Sequence, residues 1–293
     1  MPPGAGDSAV LVTRSQRWRE RRSLYLADRE TVRPQDYDVR PIEEREARDF
    51  VRYHHYSGTF PAARLSVGLF AAGGSALKGV AVFSVPMNQA VTPKHTGLVE
   101  PRAAAELGRL VLLDDVPQNG ESHFVSRAFR CLRAEKPEIL AVVSYADPTP
   151  RFGDGGTLLK PGHIGQAYQA LSASLRGRTL PRYQYILPKG QIVSERALAK
   201  IRAQDQGHRY AAAQLAAGGV EPRRAHEDPR AWLRRILAEG QIQRRLGAGK
   251  YVYAWPLTLA ARLAARDLPT LPYPRLGDPL AVDVSALPLF ATS

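Results

Sequence analysis

Apolar positions along this chain recur with a helical period in some stretches and a strand period in others. Ala47, Phe50, Val51 and His54 fall at i, i+3, i+4 and i+7, one face of a helix, and Gly58 and Pro61 in YHHYSGTFP stop it. His54 belongs to that face and is expected to pack. ARLSVGLFAA and LKGVAVFSVP flank Gly73-Gly74-Ser75, where glycine supplies the positive φ that a tight hairpin turn needs. A polar excursion is expected from Asn88 to Ala103. Leu107 to Leu113 reads as a strand and VPQNGES as a loop. Ser122 or Glu121 caps a helix whose apolar face carries Phe124, Ala128, Cys131 and Leu132. ILAVVSYAD is a near-continuous apolar run, as in a strand covered on both sides. A helix is expected from Gly162 or His163, with Ile164, Ala167, Tyr168, Leu171 and Leu175 on one face and Gly177 at its end. RYQYILP alternates as a strand. Beyond Gly190 the pattern is mostly helical (Ser194 to Ala203, Tyr210 to Ala217, Pro229 to Glu239), and KYVYAWPL reads as one more strand. The proline-rich tail after Asp267 reads as extended.

These elements divide the chain into a basic arm (1–36), a core (37–220) and a C-terminal extension (221–293). In the core, strand–helix–strand units imply parallel pairing with right-handed crossovers, and the hairpin adds antiparallel strands, so an α+β fold with a mixed sheet is predicted. The order is similar to that of the GNAT acetyltransferases. That similarity implies two central parallel strands, here Leu107–Leu113 and Ile139–Ala146, splayed around an acyl-coenzyme A. It also implies contacts to the coenzyme from Val111 and Leu113 and from the turn Gln118, Asn119, Gly120, Glu121 and Ser122. A helix N-terminus is a competent anion site in its own right. QNGES nevertheless departs from the GNAT phosphate signature, having one glycine and a different spacing, and GDGGTLLK lacks the end of a P-loop.

Composition narrows the partners. The chain has 293 residues, 44% of them hydrophobic, enough for a full core. No apolar run reaches the length of a membrane span, and the N-terminus lacks a basic-then-apolar signal pattern, so a cytoplasmic location is expected. A single cysteine, Cys131, excludes an internal disulfide framework and a multi-cysteine zinc site; its helical setting marks a packed thiol. The net charge is +13. Scattered arginines would follow from base composition alone, but these cluster. They gather in SQRWRERRS, in Arg176–Arg209 (eight basic residues against two acids), and around Arg223, Arg224, Arg230, Arg234, Arg235, Arg244 and Arg245. Together the clusters favour nucleic acid, with Arg176, Arg178, Arg182, Lys200, Arg202, Arg209, Arg234 and Arg235 as candidate contacts.

Two residues carry candidate chemistry. Arg109 lies inside an apolar strand and needs a carboxylate or a ligand. Asp147 ends the neighbouring strand, where open α/β sheets bind ligands. An ion pair between them and a hold on a substrate anion are both open. Tyr168 sits on an apolar helix face, as a core aromatic or with its hydroxyl in a cleft.

HYSGTFP, ELGRLVLLDD, SYADPTP, GHIGQAYQAL, and SERALAKIR followed by GHRYAA, in this order, resemble the phage Mom proteins and their bacterial relatives from about Ile42 to Gly219. The resemblance implies a divergent GNAT enzyme that places a carbamoylmethyl group on the exocyclic amine of adenine in DNA and shields phage DNA from restriction. It carries over Arg109, Asp147 and Tyr168, and it adds His55 and Tyr56 from HYS. The long stretch TPRFGDGGTLLKPGHIG between Asp147 and Tyr168 departs from the family pattern. Double-stranded DNA with a flipped adenine is the implied partner, and the glycine-rich loop a closing lid. Asp147 is the expected acceptor of the amine proton. A carbamoylmethyl product joins nitrogen to a saturated carbon, a step beyond simple acyl transfer that iron held by His55, Tyr56 and a carboxylate can support, although no dense ligand spacing appears. Two alternatives remain: a GNAT N-acetyltransferase for a small amine or a protein, and a DNA-binding protein without catalysis.

Overall fold

The computed structural model describes residues 30–55, 57–152, 158–160 and 162–275, together with 12–13 and 278. Seven strands form the main sheet: β1 (Tyr37–Ile42), β2 (Ala63–Ala71), β3 (Leu77–Ser84), β4 (Ala104–Leu112), β5 (Ala141–Ala146), β6 (Ser174–Arg178) and β7 (Tyr251–Pro256). Their spatial order is β6-β7-β5-β4-β3-β2-β1. β1 to β4 pair antiparallel in chain order. β4 and β5 run parallel, joined by helix α3 (Gly120–Glu135). β7 is antiparallel to both β5 and β6. The fold is thus mixed α+β, as expected.

Burial on both faces explains the continuous apolar runs. Along β3, Ala81 and Phe83 face α3, meeting Phe124, Val125, Ala128 and Leu132. Val80 and Val82 face the other way, onto Ala47 and Val51 of α1 (Glu44–His54) and Val111 of β4. Each buried Val, Leu or Phe among them contributes about 1.5–3 kcal/mol relative to exposure. Cys131 packs half-buried against the α3-side core, as expected.

Four features differ from the sequence reading. The Asn88–Ala103 excursion contains a buried helix, α2 (Val91–Thr96); Thr92, His95 and Thr96 are polar but buried, so their pattern carried no apolar signal. The cap of α3 is Asn119, in the left-handed region at φ 64°, and neither Glu121 nor Ser122. The predicted helix from Gly162 to Gly177 shrinks to α4 (Gln166–Ala170). Ser172, at φ 55°, turns the chain, and Leu175 reaches the core from a strand. Finally, KYVYAWPL supplies β7, which inserts between β5 and β6, so in the main sheet, among the described residues, only the β4–α3–β5 unit makes a parallel crossover. A β-strand pattern shows that a segment pairs, but not with what.

Residues 182–247 build a second core. A small sheet of Ile192–Val193, Arg182–Ile186 and Gln243–Gly247 lies with α5 (Glu195–Ala203), α6 (His208–Ala217) and α7 (Pro229–Ala238) around Leu198, Ile201, Leu215, Trp232 and Ile236. The tail packs where it is described: Leu271 bridges to Leu175, and the Tyr273 hydroxyl donates to Ala173 O at 2.7 Å. Among the described residues no helix is long and apolar enough to cross a membrane.

Candidate functional site

The site begins with a failure of pairing. β4 and β5 are bonded only at their first residues, Ala104–Glu106 against Ala141–Val143. Beyond this, β4 shifts register against β3 at Gly108, with Val82 opposite Arg109 and Phe83 opposite Leu107. Glycine gives room there, because a Cβ would lie 2.5 Å from Ser84 Oγ and would push that hydroxyl aside. Where the ladder has stopped, the Ser144 hydroxyl donates across the gap to Leu107 O at 3.0 Å. The strands separate around a cavity of about 440 Å³ lined by β4 from Glu106 to Leu112 and by His55, Tyr145, Asp147, Lys160, His163 and Tyr168. That volume falls within the roughly 300–1,000 Å³ of ligand sites.

Arg109 does not pair with Asp147. Its Nε donates to Thr59 O at 3.0 Å and its Nη2 to Thr59 Oγ1 at 2.8 Å, clamping the loop that follows α1. That loop carries His55, whose Nδ1 accepts from the Ser57 backbone N–H at 3.2 Å and lies 2.8 Å from Ser57 Oγ. A ring nitrogen that accepts from an amide holds no proton, so His55 is the neutral Nε2–H tautomer. Burial, and then the charges of Arg109, Arg151, Lys160 and His163, push its pKa down to about 3. His163 is likewise pushed to about 3 by burial and by Lys160. His54 stacks on Phe50 at 4.5 Å between centroids, as its place on the helix face predicted, and also borders the cavity.

Asp147 has a different partner. Lys160, buried, places Nζ 3.0 Å from Asp147 Oδ2, 3.2 Å from Asp147 O and 3.1 Å from Thr149 O, three acceptors for three protons. The other carboxylate oxygen accepts from Thr149 N at 3.0 Å. Burial opposes ionisation of Asp147, but the charges of Lys160 and Lys250 and these hydrogen bonds hold its pKa at about 2. Burial in turn pulls Lys160 down to about 8, against the attraction of Asp147. Nothing around Lys160 in the sequence marks it as buried, because its site is assembled by Asp147 and Thr149 folding over it.

Glu106 was also missed. It lines the cavity at the last paired position of β4, and among the described residues nothing hydrogen-bonds its buried Oε2. Burial raises its pKa, against the charges of Lys250 and Arg109 and a hydrogen bond from the Met87 amide. Tyr145, across the cavity, is pushed up to about 12 by burial and by Glu106. The one available signal was an acid within the strand that also carries Arg109.

Tyr168 is a core aromatic that also borders the cavity. It is buried in edge contacts with Tyr253 (5.5 Å) and Trp255 (5.3 Å), and it forms part of the cavity wall. Tyr56, the Ser15–Ser23 cluster and most of the glycine-rich loop lie outside the described residues. Of the predicted coenzyme contacts, Val111, Leu113 and Glu121 line the cavity. In the turn, Gln118 N donates to Glu30 O at 3.0 Å, Gly120 N to Pro117 O at 3.2 Å, and Ser122 Oγ to Asn119 O at 3.0 Å.

The basic residues separate by setting. Arg176 donates to Leu268 O (3.0 Å), Pro269 O (3.2 Å) and Thr270 Oγ1 (2.9 Å) just past α8 (Leu259–Ala264), which fixes it as a tail anchor. Arg235 lies among Glu221, Glu227 and Glu239, Arg202 pairs with Glu195, and Arg178 stacks on Tyr251. Lys200 is half-buried beside Gly207. Arg182, Arg209 and Arg234 are exposed, as are Arg244, Arg245 and Lys250. Arg182 and Lys250 stand on the rim of the cavity. Residues 176–250 hold sixteen lysines and arginines against six acids, +10 of the chain's +13.

Known proteins share this region. Over 113 residues, 38% of this chain, the sequence is 32% identical to a protein named methylcarbamoylase mom from Escherichia phage Mu. The match spans 45% of that protein's length, less than half. The Mom protein family itself matches residues 36–275, a span that holds all seven strands of the main sheet and every residue of the cavity wall. The chain therefore belongs to the Mom protein family.

Proposed function

We propose that this protein modifies DNA by adding an acyl-derived group of the carbamoylmethyl type to the N6 amine of adenine, on a GNAT-type core, and so protects DNA from restriction. The observation that carries the reading is the polar cavity between β4 and β5, shared by Arg109, Asp147, His55 and Tyr168 in a chain of this family. The methylcarbamoylase name of the phage Mu relative supplies the chemical class. Four antiparallel strands leading into a parallel pair that soon parts support the GNAT core.

An adenine inside a duplex cannot reach such a cavity, so the base is extruded, at a cost of a few kcal/mol that its contacts in the cavity offset. The basic rim, Arg182 and Lys250, binds the flanking phosphates. The N6 amine is conjugated to the ring and needs a proton acceptor. Asp147 suits that task poorly, because Lys160 keeps it ionised and weakly basic. Glu106, less stabilised as an anion, is the better acceptor. Asp147 then orients the base or its proton donors, and Arg109 holds the His55 loop in place.

An acyl-CoA, the donor implied by the family resemblance, fits the strand edge better than the turn. β4 beyond Glu106 has left β5, whereas the Gln118 and Gly120 amides are engaged and Glu121 puts an acid where phosphates would lie. Val111 and Leu113 would hold its arm, and bound there it would supply the acyl unit from which the transferred group derives. Iron does not fit the described residues as they stand. Among them no three His, Cys, Asp or Glu side chains converge as a metal site, His55 Nδ1 is engaged by Ser57, and the Asp147 carboxylate is engaged by Lys160.

The test is mass spectrometry of nucleosides from the DNA of cells expressing the protein. A modified deoxyadenosine is expected; unmodified deoxyadenosine with folded protein present would overturn the reading, and an acetylated protein or small amine would favour the acetyltransferase alternative.

A further inference from the structure

The loop between β3 and α2 presents an apolar side chain at the cavity mouth. Met87 is 85% exposed, yet it and Asn88 border the cavity. The loop that carries it is tied at both ends. Val85 N donates to Ala62 O at 3.0 Å, and Ala90 N to Asn88 Oδ1 at 3.0 Å. A pinned loop that points an unbranched thioether outward, beside a cavity rimmed by Arg182 and Lys250, has the polarity of a wedge. The apolar tip meets stacked bases while the cations meet phosphates. Proteins that unstack DNA insert side chains of this type between base steps.

We infer that Met87 enters the duplex as the adenine leaves it, filling the vacated stack and holding the base in the cavity. The occupant is a base step of double-stranded DNA, as the positive rim requires. The inference rests on the adenine-modifying reading above. It also ties wedge to chemistry, because Met87 and Glu106 border the same cavity.

The test uses the full-length protein, Met87→Ala and Met87→Leu. Modified adenine is first mapped in cellular DNA. 2-Aminopurine is then placed at a mapped position in a matched duplex, opposite an abasic site, and in the single strand. Extrusion raises its fluorescence. The expected result is that Met87→Ala loses at least tenfold of the response on the matched duplex and recovers it opposite the abasic site, where stacking is already weakened. Met87→Leu should behave as the parent. Equal responses of parent and Met87→Ala on the matched duplex would overturn the wedge alone, as would an equal loss on all three substrates. A change in sedimentation of Met87→Ala without any change in extrusion would assign Met87 to a contact between copies of this chain, and also overturns it. A parent that modifies no adenine in cells defeats the underlying reading instead.

Discussion

Replacing Lys160 by methionine tests the electrostatics of the site. Lys160→Met removes the cation but keeps an unbranched apolar stem, so Asp147 is left buried without its partner. Breaking a buried pair in this way costs roughly 3–5 kcal/mol. An independent bound comes from the escape route: Asp147 can take up a proton. Moving a carboxyl of ordinary pKa 3.8 to neutrality at pH 7 costs about 4.4 kcal/mol, at about 1.36 kcal/mol per pH unit. The two figures agree, and about 4 kcal/mol corresponds to a fall of about 8–16 °C in Tm for a domain of this size. The sign with pH follows. Asp147's folded pKa is depressed, so its stabilising pair is complete above the unfolded value and is lost as pH falls from about 4 toward 2. In Lys160→Met the deficit relative to the parent instead shrinks with acid, to about 1.6 kcal/mol at pH 5, because protonation becomes cheaper. Lys160→Met/Asp147→Asn should recover most of the loss, leaving about 1–2 kcal/mol for the Asp147 and Thr149 carbonyls that Nζ no longer serves. Thermal and urea unfolding at pH 5 and pH 7 read both quantities. A Lys160→Met protein as stable as the parent at pH 7, or a deficit that does not change with pH, would refute the reasoning.

Glu106→Gln should lower DNA modification by about 10²–10⁴ while circular dichroism and DNA affinity stay near those of the parent, as nucleoside mass spectrometry and filter binding would show. Stability itself should decline below pH 6.5. His55 and His163 stay neutral in the folded chain down to about 3, whereas unfolded histidines protonate near 6.5, so each costs about 1.4 kcal/mol by pH 5.5, measurable in urea titrations. Gly162→Ala should unfold or strongly destabilise the protein, because its Cβ would sit 1.9 Å from the Pro148 carbonyl oxygen; a normal melting curve would contradict the close approach. DNA affinity should fall steeply between about 50 and 200 mM salt, and Arg182→Ala should lower the slope of log affinity against log salt by about 1.

Helices and strands were legible wherever local periodicity is created by burial on a fixed face. α1 and α3 show it, because a side chain's face is set by the backbone repeat alone, whereas the β2–β3 hairpin and β5 were legible as apolar runs buried on both faces. Charge was legible too, and the excess over residues 176–250 was visible by counting. Partners were not legible. Asp147 meets Lys160 and not Arg109, because β4 and β5 part after Glu106 and the chain beyond Pro148 folds back. Arg176 and Arg235 look like DNA contacts in sequence, but the tail 92 residues on takes up the first, and glutamates 4, 8 and 14 residues away take up the second. Glu106 becomes chemically distinct only because the sheet buries it beside a gap. β7 enters the sheet between β5 and β6 from beyond residue 250 because a strand's edge accepts any partner that meets its register and faces. The sequence by itself determined the period, the polarity and the charge. Only the tertiary structure decided which charges are neutralised, which are exposed, and where the sheet opens, since those depend on distances between segments that no local pattern encodes.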